Sequence, residues 1–68
     1  MIFIHFNPCA QLRSDIQGEE DAIRQYQAHI QMIQDPHIQA LLTRIIKDEE
    51  HHIQFFSEQL ARFCRSGN

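Results

Sequence analysis

Two residue pairs, Asn7-Pro8 and Asp35-Pro36, constrain the fold of this chain more than any other feature. Asn and Asp often stand just before a helix, where their side chains accept hydrogen bonds from free backbone N–H groups. Pro is favoured at the first helical position, because its fixed φ suits a helix and its missing N–H would have no partner there. Each pair therefore predicts the start of a helix, and the second pair also predicts the end of the first helix.

The predicted helices cover about residues 8–34 and 36–65, and so short a connection requires them to form an antiparallel hairpin. Gly18 is the only Gly or Pro inside the predicted helices apart from the first residue of each, and Gly67 follows the second one. We therefore expect an all-α fold with one helical-hairpin domain at residues 8–68.

Each predicted helix carries a stripe of residues at alternating spacings of three and four, which places them on one face. The first stripe comprises Cys9, Leu12, Ile16, Glu19, Ile23, Tyr26, Ile30 and Ile33. The second comprises Ile38, Leu42, Ile45, Glu49, His52, Phe56, Gln59 and Phe63, and is flanked by Leu41, Ile46, Ile53, Phe55 and Leu60. One partner helix cannot cover so broad an apolar face, so we expect two hairpins to associate into a four-helix bundle.

A chain of 68 residues forms a small core that is only marginally stable alone. Domains of this size usually gain stability from disulfides, a metal or a partner chain. Cys9 and Cys64 could meet at the open end of the hairpin, but we expect them to stay reduced in a cytoplasmic protein. Metal binding, oligomerisation or both should therefore supply the missing stability.

The composition argues against several classes of partner. A net charge of −3 without a basic cluster argues against nucleic acid. No apolar run approaches the roughly 20 residues that span a bilayer. The apolar residues 1–6 are too short for a signal peptide and have no basic flank. We expect no membrane partner and a cytoplasmic location, with the segment at residues 1–7 packed on a neighbouring chain or forming a disordered tail.

Three polar side chains interrupt the stripes at one level of the hairpin. Glu19 precedes Gln34 by about four helical turns, and Glu49 and His52 follow Pro36 at a similar separation. At about 1.5 Å per residue, all three are roughly 20–24 Å from the turn. The spacing of three also places Glu49 and His52 on the same helical face. We therefore expect the three side chains to share one layer.

This layer has the composition of a metal site. Carboxylates buried without a partner cost several kcal/mol, so two of them beside one imidazole require a cation. A twofold-related second chain would double the set to four carboxylates and two imidazoles, which is the ligand set of di-iron and di-manganese bundles. Oxygen and imidazole donors favour Fe or Mn, although Zn can also occupy such sites. Glu19, Glu49 and His52 are the predicted ligands.

Two segments resemble the metal-binding helices of rubrerythrins and ferritins. Residues 18–26 place Glu19 seven residues before Tyr26, as those families do, and residues 48–52 contain their Glu-x-x-His pattern. With its two-helix length, the chain is most similar to the encapsulated ferritins, which are half-length ferritin-like proteins whose dimers form a di-iron ferroxidase site. The resemblance covers about residues 10 to 65.

The resemblance implies a homodimer, or a larger homo-oligomer, with two iron ions per dimer. It implies oxidation of Fe(II) to Fe(III) by oxygen or peroxide, in iron handling or oxidative-stress defence. Tyr26 would then be hydrogen-bonded to a ligand carboxylate of the partner chain. Glu20 and Glu50 are candidates for an iron-entry route.

An encapsulin-type shell, a protein nanocompartment, is a further partner that the resemblance suggests. Residues 65–68 do not form the targeting extension that shell cargo usually carries, which argues against encapsulation. The chain also lacks the paired Cys-x-x-Cys motifs of the rubredoxin domain that rubrerythrins carry. A self-contained peroxide reductase is therefore not expected.

Interpretations from other classes stay open. The metal could stabilise an assembly module without catalysis, or a metal-free polar layer could fix the register of a helical module. A manganese catalase-like or peroxidase activity is a variant of the enzyme hypothesis. Tyr26 could equally be a core aromatic residue. The following side chains could be ordinary surface residues without a role in metal binding: Glu20, Glu50, His51, His5, His29 and His37.

Overall fold

The computed structural model describes residues 7–64 of the chain, which form two α-helices. Helix α1 spans Pro8–Met32 and helix α2 spans Pro36–Phe63. They pack against each other along their length as a helical hairpin, which confirms the all-α prediction. Each helix ends two residues earlier than expected. The expectation for residues 1–6 falls outside the described part of the chain.

Both Asx-Pro pairs start a helix in the expected way. The side chain of Asn7 accepts hydrogen bonds from the backbone N–H groups of Cys9 and Ala10, at 3.1 and 3.2 Å. The side chain of Asp35 accepts one from Ile38 at 3.0 Å. These bonds satisfy N–H groups that have no partner within the helix, so local sequence fixes where each helix begins.

The side chain of Gln39 ties the start of α2 to the end of α1. Its amide nitrogen donates to the carbonyl oxygens of Ile30 and Ile33, at 3.1 and 2.9 Å. Carbonyl groups in the last turn of a helix lack partners within that helix. Gln39 donates to two of these carbonyl oxygens from the neighbouring helix. We call this contact the Gln39 link, and it holds the end of α1 against the start of α2.

The stripe on α1 packs as predicted, since all of its residues are buried or half-buried. The buried side of α2 is rotated from the predicted stripe toward one of its flanks. The stripe residues Leu42, Ile45, Glu49 and Phe56 are half-buried, but so are the flanking Ile53 and Leu60, and the flanking Ile46 is buried. Ile38 and Phe63 of the predicted stripe are instead exposed. The physical reason is that the apolar face of α2 is wide enough for two partners, and α1 covers only one edge of it.

The other edge of α2 remains uncovered in the hairpin. Four large apolar side chains on this edge are 41–59% exposed. We call them the exposed face of α2: Ile38, Leu41, Phe55 and Phe63. On α1 the only comparable residue among those described is Met32. Within residues 7–64 no side chain is fully withdrawn from water. The hairpin therefore has a thin core and an apolar surface that needs a cover.

Cys9 and Cys64 form a disulfide, so the expectation that both stay reduced is wrong. Their Cα atoms are 5.9 Å apart, within the range that a disulfide requires. Cys9 lies in the first turn of α1 and Cys64 caps the end of α2, so helices of similar length bring them together. We expected reduced cysteines because we assumed a reducing compartment. The hairpin places the two cysteines within bonding distance, and they are bonded in the structure.

Within residues 7–64, neither helix is long and apolar enough to cross a membrane.

We predict that Gln39→Ala lowers the free energy of unfolding by about 1–2 kcal/mol, because two hydrogen bonds to the end of α1 are lost. Urea unfolding followed by circular dichroism measures this. The matched control is Gln54→Ala, an exposed glutamine in the same helix, which should change stability by less than about 0.5 kcal/mol. Equal effects of the two changes would contradict the role of Gln39.

Candidate metal centre

The hairpin brings Glu19, Glu49 and His52 together. Glu19 lies near the middle of α1, and the other two lie on successive turns of α2. One donor atom from each side chain can be chosen so that all three lie within 4.8 Å of one another. This is the one such group of three His, Cys, Asp or Glu residues within the described part of the chain. The three predicted ligands thus share one layer.

The imidazole of His52 lies beside both carboxylates. Its Nδ1 atom is 3.4 Å from Oε2 of Glu19 and 3.4 Å from Oε1 of Glu49. The carboxyl side chains are only 19% and 17% exposed, whereas the histidine side chain is 49% exposed. The carboxylates therefore lie in the groove between the helices, and the imidazole borders the side that faces solvent.

The neighbouring Glu19 disfavours the charged form of Glu49. The pKa of Glu49 is raised, chiefly by a hydrogen bond with the side chain of Glu19, then by burial and by the negative charge of Glu19. The neighbouring His52 acts in the opposite direction but does not cancel these effects. A cation between the carboxylates would remove the repulsion and hold both groups ionised.

The three donors fit a metal ion. Donors bound to one ion at about 2.1 Å lie roughly 3–4 Å from one another, and the observed separations of 3.4 Å fall in this range. Two carboxylates and one imidazole suit Fe or Mn. Three ligands also leave coordination positions for a second chain or for an oxidant.

The other predicted site residues lie around this cluster. Tyr26 is half-buried on the α1 stripe, about 10 Å from Glu19 along the helix. Glu20 and Glu50 are exposed beside the ligands, and His51 is exposed next to His52. The structure does not bring any of these four into the three-residue group. Their proposed roles involve a partner chain or an iron-entry route and stay predictions.

Residues 7–64 enclose no pocket beside the cluster. The ligands of one hairpin are therefore bounded on one side by α1 and α2 and on the other by solvent. The Gln39 link was missed from sequence because it depends on a contact between the helices. The proximity of Cys9 and Cys64 was foreseen, but their disulfide was not expected because a reducing compartment was assumed.

Comparison with known proteins gives one family. The family model described as ubiquinone biosynthesis protein COQ7 matches residues 8–66, which include both helices and all three predicted ligands. COQ7 proteins are di-iron carboxylate proteins of the ferritin-like superfamily. The resemblance to that superfamily is thereby confirmed, and the narrower resemblance to encapsulated ferritins stays a prediction. Neither the curated proteins nor the solved structures include a significant match.

We predict that Co(II), an air-stable substitute for Fe(II), stabilises the wild-type protein but not Glu49→Gln. At free metal about 100-fold above the dissociation constant, the gain in the free energy of unfolding is about 2.7 kcal/mol. Without metal, Glu49→Gln should be at least as stable as wild type, because one of two repelling carboxylates is gone. Urea unfolding with and without Co(II) measures both effects.

The matched control for this experiment is Glu58→Gln, an exposed glutamate in the same helix. It makes the same chemical change away from the cluster and should keep the full response to Co(II). The same response in both variants would place the metal elsewhere.

Proposed function

The chain belongs to the family of the ubiquinone biosynthesis protein COQ7, whose members have a di-iron carboxylate centre. We propose that two copies of the chain form such a centre. We further propose, beyond what the family match supports, that this centre oxidises Fe(II) to Fe(III) with dioxygen or peroxide. The observation that carries the proposal is that each hairpin holds half of a di-iron ligand set. Two iron ions need about twice the donors that one chain provides. The second half is supplied by a twofold-related copy.

The exposed face of α2 is the surface on which the second copy packs. Ile38 precedes Glu49 by about three helical turns, and Phe63 follows His52 at the same separation. The ends of this apolar face are thus equally far from the metal layer. If two α2 helices run antiparallel about a twofold axis at this layer, Ile38 of one chain lies level with Phe63 of the other. The apolar contact and the pairing of ligands then use the same register.

The side chains around the centre are suited to oxidation chemistry. When bound, two ferrous ions would supply the electrons that reduce dioxygen or peroxide. The carboxylates of Glu19 and Glu49 favour the more highly charged ferric product through their negative charge. Ile16 and Ile23, one turn to either side of Glu19 on the stripe, limit access of water to the carboxylates. The half-exposed His52 borders the partner's surface, where it can ligate across the interface.

Fe(II) is also the substrate, and exposed carboxylates provide its route. Glu20 and Glu50 each follow a ligand glutamate directly in sequence and lie on the surface. Their negative charge raises the local concentration of cations beside the centre. In each turnover, two Fe(II) ions lose one electron each, and one dioxygen takes up both electrons and two protons to give hydrogen peroxide.

A second candidate function is hydroxylation of a quinone-type aromatic ring, which the family match itself favours. An apolar ring could contact the exposed face of α2 where the dimer leaves it open. In that reaction the iron stays bound and an external donor must supply electrons. The two candidates can therefore be separated by experiment: oxidation of many Fe(II) equivalents per chain, without any organic substrate, would favour the ferroxidase over the hydroxylase.

We predict that the protein binds about one Fe(II) per chain without oxygen and oxidises added Fe(II) in air at least tenfold faster than buffer alone. Glu49→Gln should lose both properties, because one carboxylate ligand is removed. Iron analysis and the ferric absorbance measure them. Glu58→Gln is the matched control and should keep both. Bound iron with oxidation at the buffer rate would instead indicate a metal-stabilised assembly module.

We also predict that the native mass is that of two chains or a multiple of two, and that Phe55→Glu yields single chains. A charge on the exposed face of α2 would have to be buried between the copies. The dissociated variant should bind iron at least tenfold more weakly, since it offers only half of the ligands. Gln54→Glu adds the same charge at the adjacent position, off that face, and should stay associated. A wild-type mass of one chain would contradict the shared centre.

A further inference from the structure

The Cys9–Cys64 disulfide and the metal-ligand cluster join the same two helices at different levels. Cys9 precedes Glu19 by about three helical turns, and Cys64 follows His52 at a similar separation. The disulfide is therefore about 15–18 Å from the cluster along the helices. On the other side, the Gln39 link and the short connection at residues 33–35 hold the helices together about 15–20 Å away from the cluster. The cluster lies between these two ties.

Of the two ties, only the disulfide can be broken and re-formed by redox chemistry. It joins cysteines at a sequence separation of 55, so breaking it releases nearly the whole hairpin from its constraint. Side chains such as Leu12 and Leu60 remain at this end, but they are only half-buried. A thin core of this kind does not hold the open ends of α1 and α2 together tightly.

Separation of the open ends would act directly on the metal ligands. Glu19 belongs to α1, whereas Glu49 and His52 belong to α2, so their donor atoms meet only while the helices are in contact. The end of α2 also carries Phe63, the residue before Cys64 and the last one of its exposed face. The same disulfide therefore joins the two helices that carry the ligands and lies beside the far end of the surface proposed to meet the second copy.

We propose that the Cys9–Cys64 disulfide is a redox latch that sets the metal affinity of the Glu19, Glu49 and His52 cluster. A dithiol reductant breaks the S–S bond; two electrons and two protons convert the disulfide into two thiols, and the dithiol becomes a disulfide. The hairpin then opens at this end and binds metal more weakly. Re-oxidation closes it again. The inference concerns the regulation of the proposed centre and rests on that proposed function.

Thermodynamic linkage gives the latch a second consequence. If closure of the disulfide strengthens metal binding by a given factor, bound metal must favour the disulfide by the same factor. A loaded protein is then harder to reduce than an empty one. Under reducing conditions, protein without metal opens first, and protein that already holds metal keeps it.

The test is a Co(II) titration of the full chain in three states under nitrogen. The first is the oxidised protein. The second is protein reduced with a phosphine and then freed of reductant. The third is the double variant Cys9→Ser with Cys64→Ser, which has neither disulfide nor thiols. Competition with a chelator of known affinity gives the dissociation constants, and circular dichroism records the helix content of each state.

The oxidised protein should bind about one Co(II) per chain, and the other two states should bind it at least about tenfold more weakly, since the closed form is less populated. Re-oxidation should restore the affinity of the reduced protein, and the double variant should not respond to oxidant. If reduction lowers helix content together with affinity, and saturating Co(II) restores the helix, the latch acts through folding. Equal affinities in the three states, within twofold, would overturn the latch.

Two outcomes separate failure of the latch from failure of the centre. If the oxidised protein binds no Co(II), the proposed metal centre is wrong. If it binds Co(II) but contains two free thiols per chain after oxidation, the centre stands and the latch is wrong. The reciprocal measurement is the dithiol concentration for half-reduction, which saturating Co(II) should raise by the measured affinity ratio. In Glu49→Gln, Co(II) should not raise it, and an equal increase there would contradict the linkage.

Discussion

The contact between two carboxylates of like charge, Glu19 on α1 and Glu49 on α2, is the constraint on which the rest of this structure depends. Both side chains are largely withdrawn from solvent, and the neighbouring Glu19 raises the pKa of Glu49. One imidazole beside them can neutralise at most one negative charge. An interface of this kind is tolerated when a cation completes it. The helices around it are then required to hold donors at fixed distances as well as to bury apolar surface.

The need to hold metal-ligating side chains at fixed distances also accounts for the edge of α2 that α1 leaves uncovered. A hairpin that only needed stability could place its apolar residues on one stripe per helix. In this chain α2 carries a second apolar edge, and His52 is half-exposed on the side that α1 does not cover. Two of the three predicted ligands and the exposed apolar face thus lie on the same helix. The proposed second copy would complete the ligand set and cover this face, and for this reason we favour a dimeric centre over a metal-free polar layer.

The parts of the fold that could be predicted from sequence are those set by local interactions. Asn7 and Asp35 cap the helices through neighbours within three residues, and the alternating spacing on α1 leaves one orientation for that helix. The rotation of α2 could not be predicted, because its apolar face is wide enough to offer α1 two edges of similar character. The Gln39 link depends on a contact between the helices, which spacing along one helix does not reveal. The hairpin layout did predict that Cys9 and Cys64 could meet, but the sequence does not report the redox state of the compartment.

It could be predicted from the sequence that the three ligands share one layer. Because the turn is short, the number of residues between a side chain and the turn gives its distance from the turn along the hairpin. The turn fixes the level of Glu19, Glu49 and His52 but not the reaction, since ferritin-like proteins of different activity use the same spacings. The family match narrows the chemistry to di-iron carboxylate proteins. The choice between iron and an aromatic ring as substrate would depend on what covers the exposed face of α2, which the hairpin by itself does not determine.

The thin core also explains why the disulfide and the metal should act together. In a domain with a large core, the helices would stay in contact whether or not either tie was present, and the two would contribute independently. Here no side chain within residues 7–64 is fully buried, so apolar packing alone contributes little to the contact between α1 and α2. A disulfide at the open end and the proposed metal ion at the middle would both favour the closed hairpin. Each would then lower the cost of forming the other, and the coupling between them would be positive.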